Sequence, residues 1–145
     1  MKLLKALIIG FLVLGAMYVF FAKVLVNSPT DTAEKYRKMK SDMDWIVGRG
    51  GMTVFSKDNE RGSAVLIIRS IDARSVDERL LNAYRDAFIS RGWNVVGSNE
   101  KEISFCKDGG RAALSLVPEW FPERQIDIYG LSMEYNSGTV MNCRR

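Results

Sequence analysis

Residues 63–71 read SAVLIIRSI, and how this stretch is assigned decides the fold. The apolar run from Ala64 to Ile68 is short and rich in β-branched residues, and turn-forming sequence precedes it, which marks a strand rather than a helix. Adjacent positions are apolar, so both faces of the strand need cover. A strand covered on both faces belongs in the middle of a sheet. Immediately upstream, MTVFS (52–56) reads as another strand, and KDNERG (57–62) joins the two as a turn.

Downstream, Ser75-Val-Asp-Glu78 has the form of a capping box. It opens a helix with Leu80, Leu81, Tyr84, Ala87 and Phe88 on one side, closed by Arg91-Gly92. Short strand-like runs follow: WNVVGS, EISFCK, RAALSLV, IDIYGLSMEY and TVMNC. Turn signals at 98–101, 108–110 and 136–138 and a proline-bounded loop separate them, which predicts an antiparallel meander. The fold class is therefore α+β: an antiparallel sheet of five to seven strands packed against one or two helices.

On the N-terminal side, Ser28-Pro29-Thr30-Asp31 reads as a helix start, with Ser as N-cap and Pro at the first helical position. Tyr36, Met39, Met43 and Ile46 recur at helical spacing, and GRGG (48–51) ends the helix. Met39, Met43 and Trp45 suit a core face better than a docking stripe, because an amphipathic helix has to bury one side.

Further upstream, Ala6 to Ala22 carries no charge, and Val24–Val26 extend the run past Lys23. As a helix, Ala6 to Val26 spans about 32 Å, close to the roughly 30 Å of a bilayer core. A good small-x-small cleavage site is missing: cutting after Ala22 places Phe20 at a recognition position. The expectation is a retained N-terminal transmembrane helix. Its packing candidates are Ala6 and Gly10, four residues apart. The organisation expected is an anchor over 1–27, an amphipathic juxtamembrane helix over 28–50 and an α+β domain over 51–145. The basic start before the first apolar segment places the amino terminus inside and the domain in the periplasm of a bacterial inner-membrane protein.

Gly10-Phe11, a hydrophobic helix, a proline and a sheet domain with a late cysteine are similar in outline to type IV pilins and pseudopilins. Those families imply a glutamate at the fifth position of the mature helix. Gly15 stands there, and their leaders are usually more polar than LLKALIIG, so the chain departs from their pattern.

The net charge of +4 owes much to Lys2, Lys5 and Lys23; the remaining 18 basic and 17 acidic residues leave +1. A nucleic-acid binder concentrates basic charge in its folded part, so no nucleic-acid partner is expected. There is no histidine, and two cysteines cannot make a four-ligand zinc site, so no metal and no cofactor are expected. In an exported domain, Cys106 and Cys143 are a disulfide candidate. There is no GxSxG elbow, no phosphate loop and no environment-split carboxylate pair legible in the sequence, so no catalytic residue is assigned. The candidate partner-binding residues are Trp120 and Phe121, bracketed by Pro118 and Pro122 in VPEWFPE.

The function expected is a membrane-anchored protein-interaction module, an accessory or structural subunit of a bacterial envelope complex such as a secretion or assembly machine. Its partners are membrane lipid through the first helix and a protein in the membrane or periplasm. The alternative is a periplasmic immunity- or inhibitor-type protein that binds a toxin or enzyme. A histidine-free hydrolase is the outsider.

Overall fold

The computed structural model describes residues 10–19, 21 and 31–143. Residues 10–19 and 21 are helical and exposed. Most of the expected anchor, including Ala6 and Lys23, lies outside the described residues. Among those described, no helix is long and apolar enough to cross a membrane.

From residue 31 onward the chain builds a seven-stranded antiparallel sheet with helices. Helix α1 (Thr32–Val47) leads into β1 (Thr53–Arg61) and β2 (Ala64–Asp72). A 3-10 turn (Ala73–Ser75) and α2 (Glu78–Ser90) follow. Then come β3 (Asn94–Ser98), β4 (Glu102–Lys107), β5 (Gly110–Ser115), β6 (Glu119–Phe121), β7 (Ile126–Tyr135) and a short α3 (Ser137–Asn142). The strand order is β1-β2-β7-β5-β4-β3, with β6 also on β7.

Strand β2 does lie inside the sheet, between β1 and β7. The connectivity differs from a plain meander. Strand β7 returns to the middle and pairs with β2 from Val65↔Tyr135 to Asp72↔Ile128. Its other edge holds β5 at residues 131–134 and β6 at residues 126–128, end to end. The ten-residue length of β7 makes this possible: it can serve two short strands on one side and one long strand on the other.

The alternation of each strand selects the face that the helices cover. Val65, Ile67 and Ile71 of β2 are buried with Leu131 and Met133 of β7, Ala112 and Leu114 of β5, and Phe105 of β4. Helix α1 contributes Met39, Met43 and Ile46, and α2 contributes Tyr84, Ala87 and Phe88. Phe88 stacks on Phe105 with ring centroids 4.5 Å apart and meets Trp93 edge-on at 6.0 Å. Met39 and Met43 are therefore core residues, while Trp45 is half exposed.

Several local expectations are corrected. The turn between β1 and β2 is Gly62-Ser63 rather than KDNERG, since Lys57 to Arg61 pair with Ile68 to Ala64. A glycine at φ +56 makes the tight two-residue connection, so the charged residues remain in the edge strand. Helix α2 is capped by Asp77, which accepts from the Leu80 amide at 2.9 Å. Ser75 instead closes the 3-10 turn, donating to the Asp72 carbonyl and accepting from the Met52 amide. TVMNC is not a strand: Asn136 and Thr139 form a reciprocal capping box that starts α3. Ser28 lies outside the described residues, and α1 begins at Thr32.

Gly51, at φ +84, lies beneath Tyr84. A Cβ there would meet Ile71 Cγ2 and the Tyr84 hydroxyl at 2.7 Å. The GRGG segment is therefore both the stop of α1 and the close approach that lets Tyr84 donate to the Gly50 carbonyl at 2.5 Å.

Candidate functional site

The loop VPEWFPE is partly a strand. Residues Glu119–Phe121 pair with β7 in the register Glu119↔Ile128, Trp120↔Asp127, Phe121↔Ile126. Alternate side chains leave a strand on opposite faces, so the two candidate aromatics separate. Phe121 is half-buried and packs on Phe55, centroids 5.7 Å apart. Trp120 points to the side that carries the helices, beyond their cover, and is 60% exposed. The sequence treats the pair as one feature, and the structure gives each ring a different role.

Trp120 forms one wall of a groove of about 460 Å³, with Asp72, Arg74, Gln125, Ile126 and Asp127. Arg74 is held there firmly. Its Nε lies 3.0 Å from Asp72 Oδ1 and its Nη2 lies 2.6 Å from Oδ2. Asp72 also accepts from the Arg74 backbone amide at 2.9 Å, and these bonds from Arg74 hold its carboxyl below the usual range. The Asp72 side chain is 1% exposed and that of Arg74 is 77% exposed. A guanidinium is thus pinned from behind and presented outward beside an exposed indole. A turn in which the Arg124 amide donates to the Phe121 carbonyl, with Gln125 at φ +51, carries the chain from β6 into β7. Sequence reading misses Arg74; its signal is the spacing of Asp72 and Arg74 at the end of a buried strand.

The groove lies at one end of the sheet. At the other end Tyr135, the last residue of β7, donates to Asp31 Oδ1 at 2.5 Å. At about 3.4 Å per residue, β7 separates the groove from Tyr135 and Asp31 by about 30 Å.

A second polar cluster is internal. Asp42 is 3% exposed and accepts from Arg91 Nε at 2.7 Å, Trp93 Nε1 at 3.0 Å and Lys107 Nζ at 2.7 Å. Both carboxylate oxygens are engaged, so the cluster ties α1 to the connection between α2 and β3 and to the end of β4. The signal in the sequence is an acid on the apolar stripe between Met39, Met43 and Ile46. Arg69, 5% exposed, likewise bonds Asp58 of β1, and that bond lowers the Asp58 carboxyl below its usual range.

Cys106 and Cys143 form a disulfide, with Cα atoms 5.3 Å apart, within the usual span of such bonds. Of the helix-packing candidates, Gly10 is helical and a Cβ there would meet nothing within 4 Å; Ala6 lies outside the described residues. Among the described residues, no group of three or more His, Cys, Asp and Glu side chains is placed to hold a metal ion. The chain matches no protein-family model, curated protein or solved structure.

Proposed function

We propose that this chain is a membrane-anchored interaction module that presents the Trp120 groove to a protein partner, as an accessory or structural subunit of a bacterial envelope complex. The observation that carries the reading is Trp120, 60% exposed beside an arginine already fixed by a buried carboxylate. Trp and Arg are the residue types that most often dominate interface energetics. A side chain fixed before binding loses little entropy on binding. The anchor in this reading is the apolar run Ala6–Val26, whose length matches a bilayer. With the amino terminus inside, the domain stands in the periplasm. The groove lies about 30 Å along β7 from Asp31, where the described domain begins. That position suits a protein better than lipid headgroups.

The test is a crosslinked pull-down of the tagged full-length protein from membranes, comparing wild type with Trp120→Ala. Stoichiometric envelope partners that the substitution removes support the reading. Partners retained in full by Trp120→Ala sink the groove as the interface. Recovery of an intact membrane-bound protein with no partner turns the assignment toward the inhibitor type. Recovery from the soluble fraction, shortened at its N-terminus, removes the anchor.

A further inference from the structure

Trp120 and Asp127 are direct cross-strand partners, so their side chains leave the same face with Cβ atoms about 5 Å apart. Among the described residues, Asp127 makes no ion pair. No described cation lies over the Trp120 ring either. Trp45, the other half-exposed indole on the domain, is different: Arg49 stacks on it at 4.3 Å and Arg91 lies 5.8 Å away. Trp120 therefore offers an open π-face next to an unneutralised carboxylate.

The surrounding charge has the same sign. Residues 117–127 carry Glu119, Glu123 and Asp127 against Arg124, a net of −2, on a chain whose total is +4. Arg74 does not offset this, because its charge is matched by Asp72 at 2.6 Å. An aromatic face attracts a cation through its quadrupole, and the attraction grows as water is excluded. A carboxylate beside the ring adds an ion pair to the same ligand. A wholly apolar helix would leave the exposed Asp127 carboxylate without a partner, and acidic ligands meet repulsion from Asp127.

We infer that the Trp120 groove takes a basic segment of the partner, with a lysine or arginine side chain laid over the indole and paired with Asp127. This rests on the interaction reading above and narrows it to one ligand chemistry. Arg74 lines the same groove and is largely exposed, so its outward N–H groups can donate to backbone carbonyls of the segment. Steering by the acidic rim makes association fast at low salt and salt-sensitive.

The test uses full-length protein in detergent micelles with ¹⁵N-labelled tryptophan, so that each indole N–H is read separately and Trp120→Ala assigns the resonance. Blocked tetra-arginine is expected to shift the Trp120 signal and leave buried Trp93 and arginine-stacked Trp45 in place. Blocked tetra-glutamate is expected to shift none of them. In about 1 M salt, where the Debye length falls to about 3 Å, the shift should vanish. Asp127→Lys, at an exposed position, should weaken binding by about tenfold while Trp120 remains. An equal response of Trp45, an equal effect of tetra-glutamate, or unchanged binding by Asp127→Lys overturns the inference.

The membrane pull-down separates the two levels of reading. Partners lost with both Trp120→Ala and Asp127→Lys support the basic-segment assignment. Partners lost with Trp120→Ala but kept with Asp127→Lys leave the interaction module standing and overturn the cation pocket. Partners kept with both overturn the groove altogether.

Discussion

Asp42 shows how much one side chain can hold. It sits on the buried stripe of α1 and joins three donors from two other parts of the chain. Asp42→Ala leaves Arg91 and Lys107 without their carboxylate, and the expected loss is about 3 kcal/mol of unfolding free energy. Asp44, two residues on, is 56% exposed and pairs with Lys40 and Arg69 only at 3.7 Å. Asp44→Ala should cost under about 1 kcal/mol. Urea unfolding of the two variants side by side checks the contrast; equal losses would mean that the buried cluster has no special weight. Tyr84 gives a pH signature. Burial raises its phenol to about 12, against about 10 in an unfolded chain. Its protonated form is therefore favoured by the fold. That stabilisation is complete below about pH 10 and is lost as pH rises toward 12. Tyr84→Phe removes the bond to the Gly50 carbonyl, and should lower stability at neutral pH by about 1 kcal/mol while flattening the alkaline decline. Unfolding free energies measured from pH 8 to 12 test the sign, and an equally steep decline in the variant would contradict it.

At the scale of elements, α3 is a six-residue helix, too short to persist by propensity alone. Three things hold it: the Asn136–Thr139 box, the contact of Val140 with the Gly109 turn, and the disulfide at its end. The bond closes a segment of 37 residues, worth about 4 kcal/mol in the chain-entropy account. Cys143→Ser and mild reduction should each lower the urea midpoint by a similar amount. Hydrogen exchange should speed up first at residues 137–143, because the strands keep their own ladders. Protection lost evenly across the sheet would show that the bond supports the whole domain. The strands were largely legible: EISFCK and IDIYGLSMEY run from bound to bound as β4 and β7. β6 was not, because three residues between prolines carry no period, and their pairing depends on β7 lying opposite. α3 was misread for a related reason: TVMNC has strand-like composition, and the cap at Asn136 outweighs it.

For the whole molecule, the decisive fact is that two aromatics adjacent in sequence lie on opposite faces of one strand. Trp120→Ala removes an exposed ring and should change stability by less than about 0.5 kcal/mol. Phe121→Ala removes a half-buried ring packed on Phe55 and should cost about 1–2 kcal/mol. Thermal unfolding of the two single variants settles the division of labour; a destabilised Trp120→Ala protein would return that ring to the core. The same separation means that a double substitution confounds folding with recognition, so interaction tests belong to Trp120 alone.

The sequence by itself determined the class of the domain, the order of most of its elements and the two cysteines that join. Those properties follow from short-range periodicity, turn chemistry and residue type, all of which are local. Only the tertiary structure decided the rest: that β7 returns between β2 and β5, that Asp42 is a buried hub, that Arg74 is pinned beside Trp120, and that Asp127 stands opposite it. Each of these depends on which strand lies next to which. Pairing between distant segments is set by how the whole apolar surface can be buried at once, and no window of the sequence contains that information.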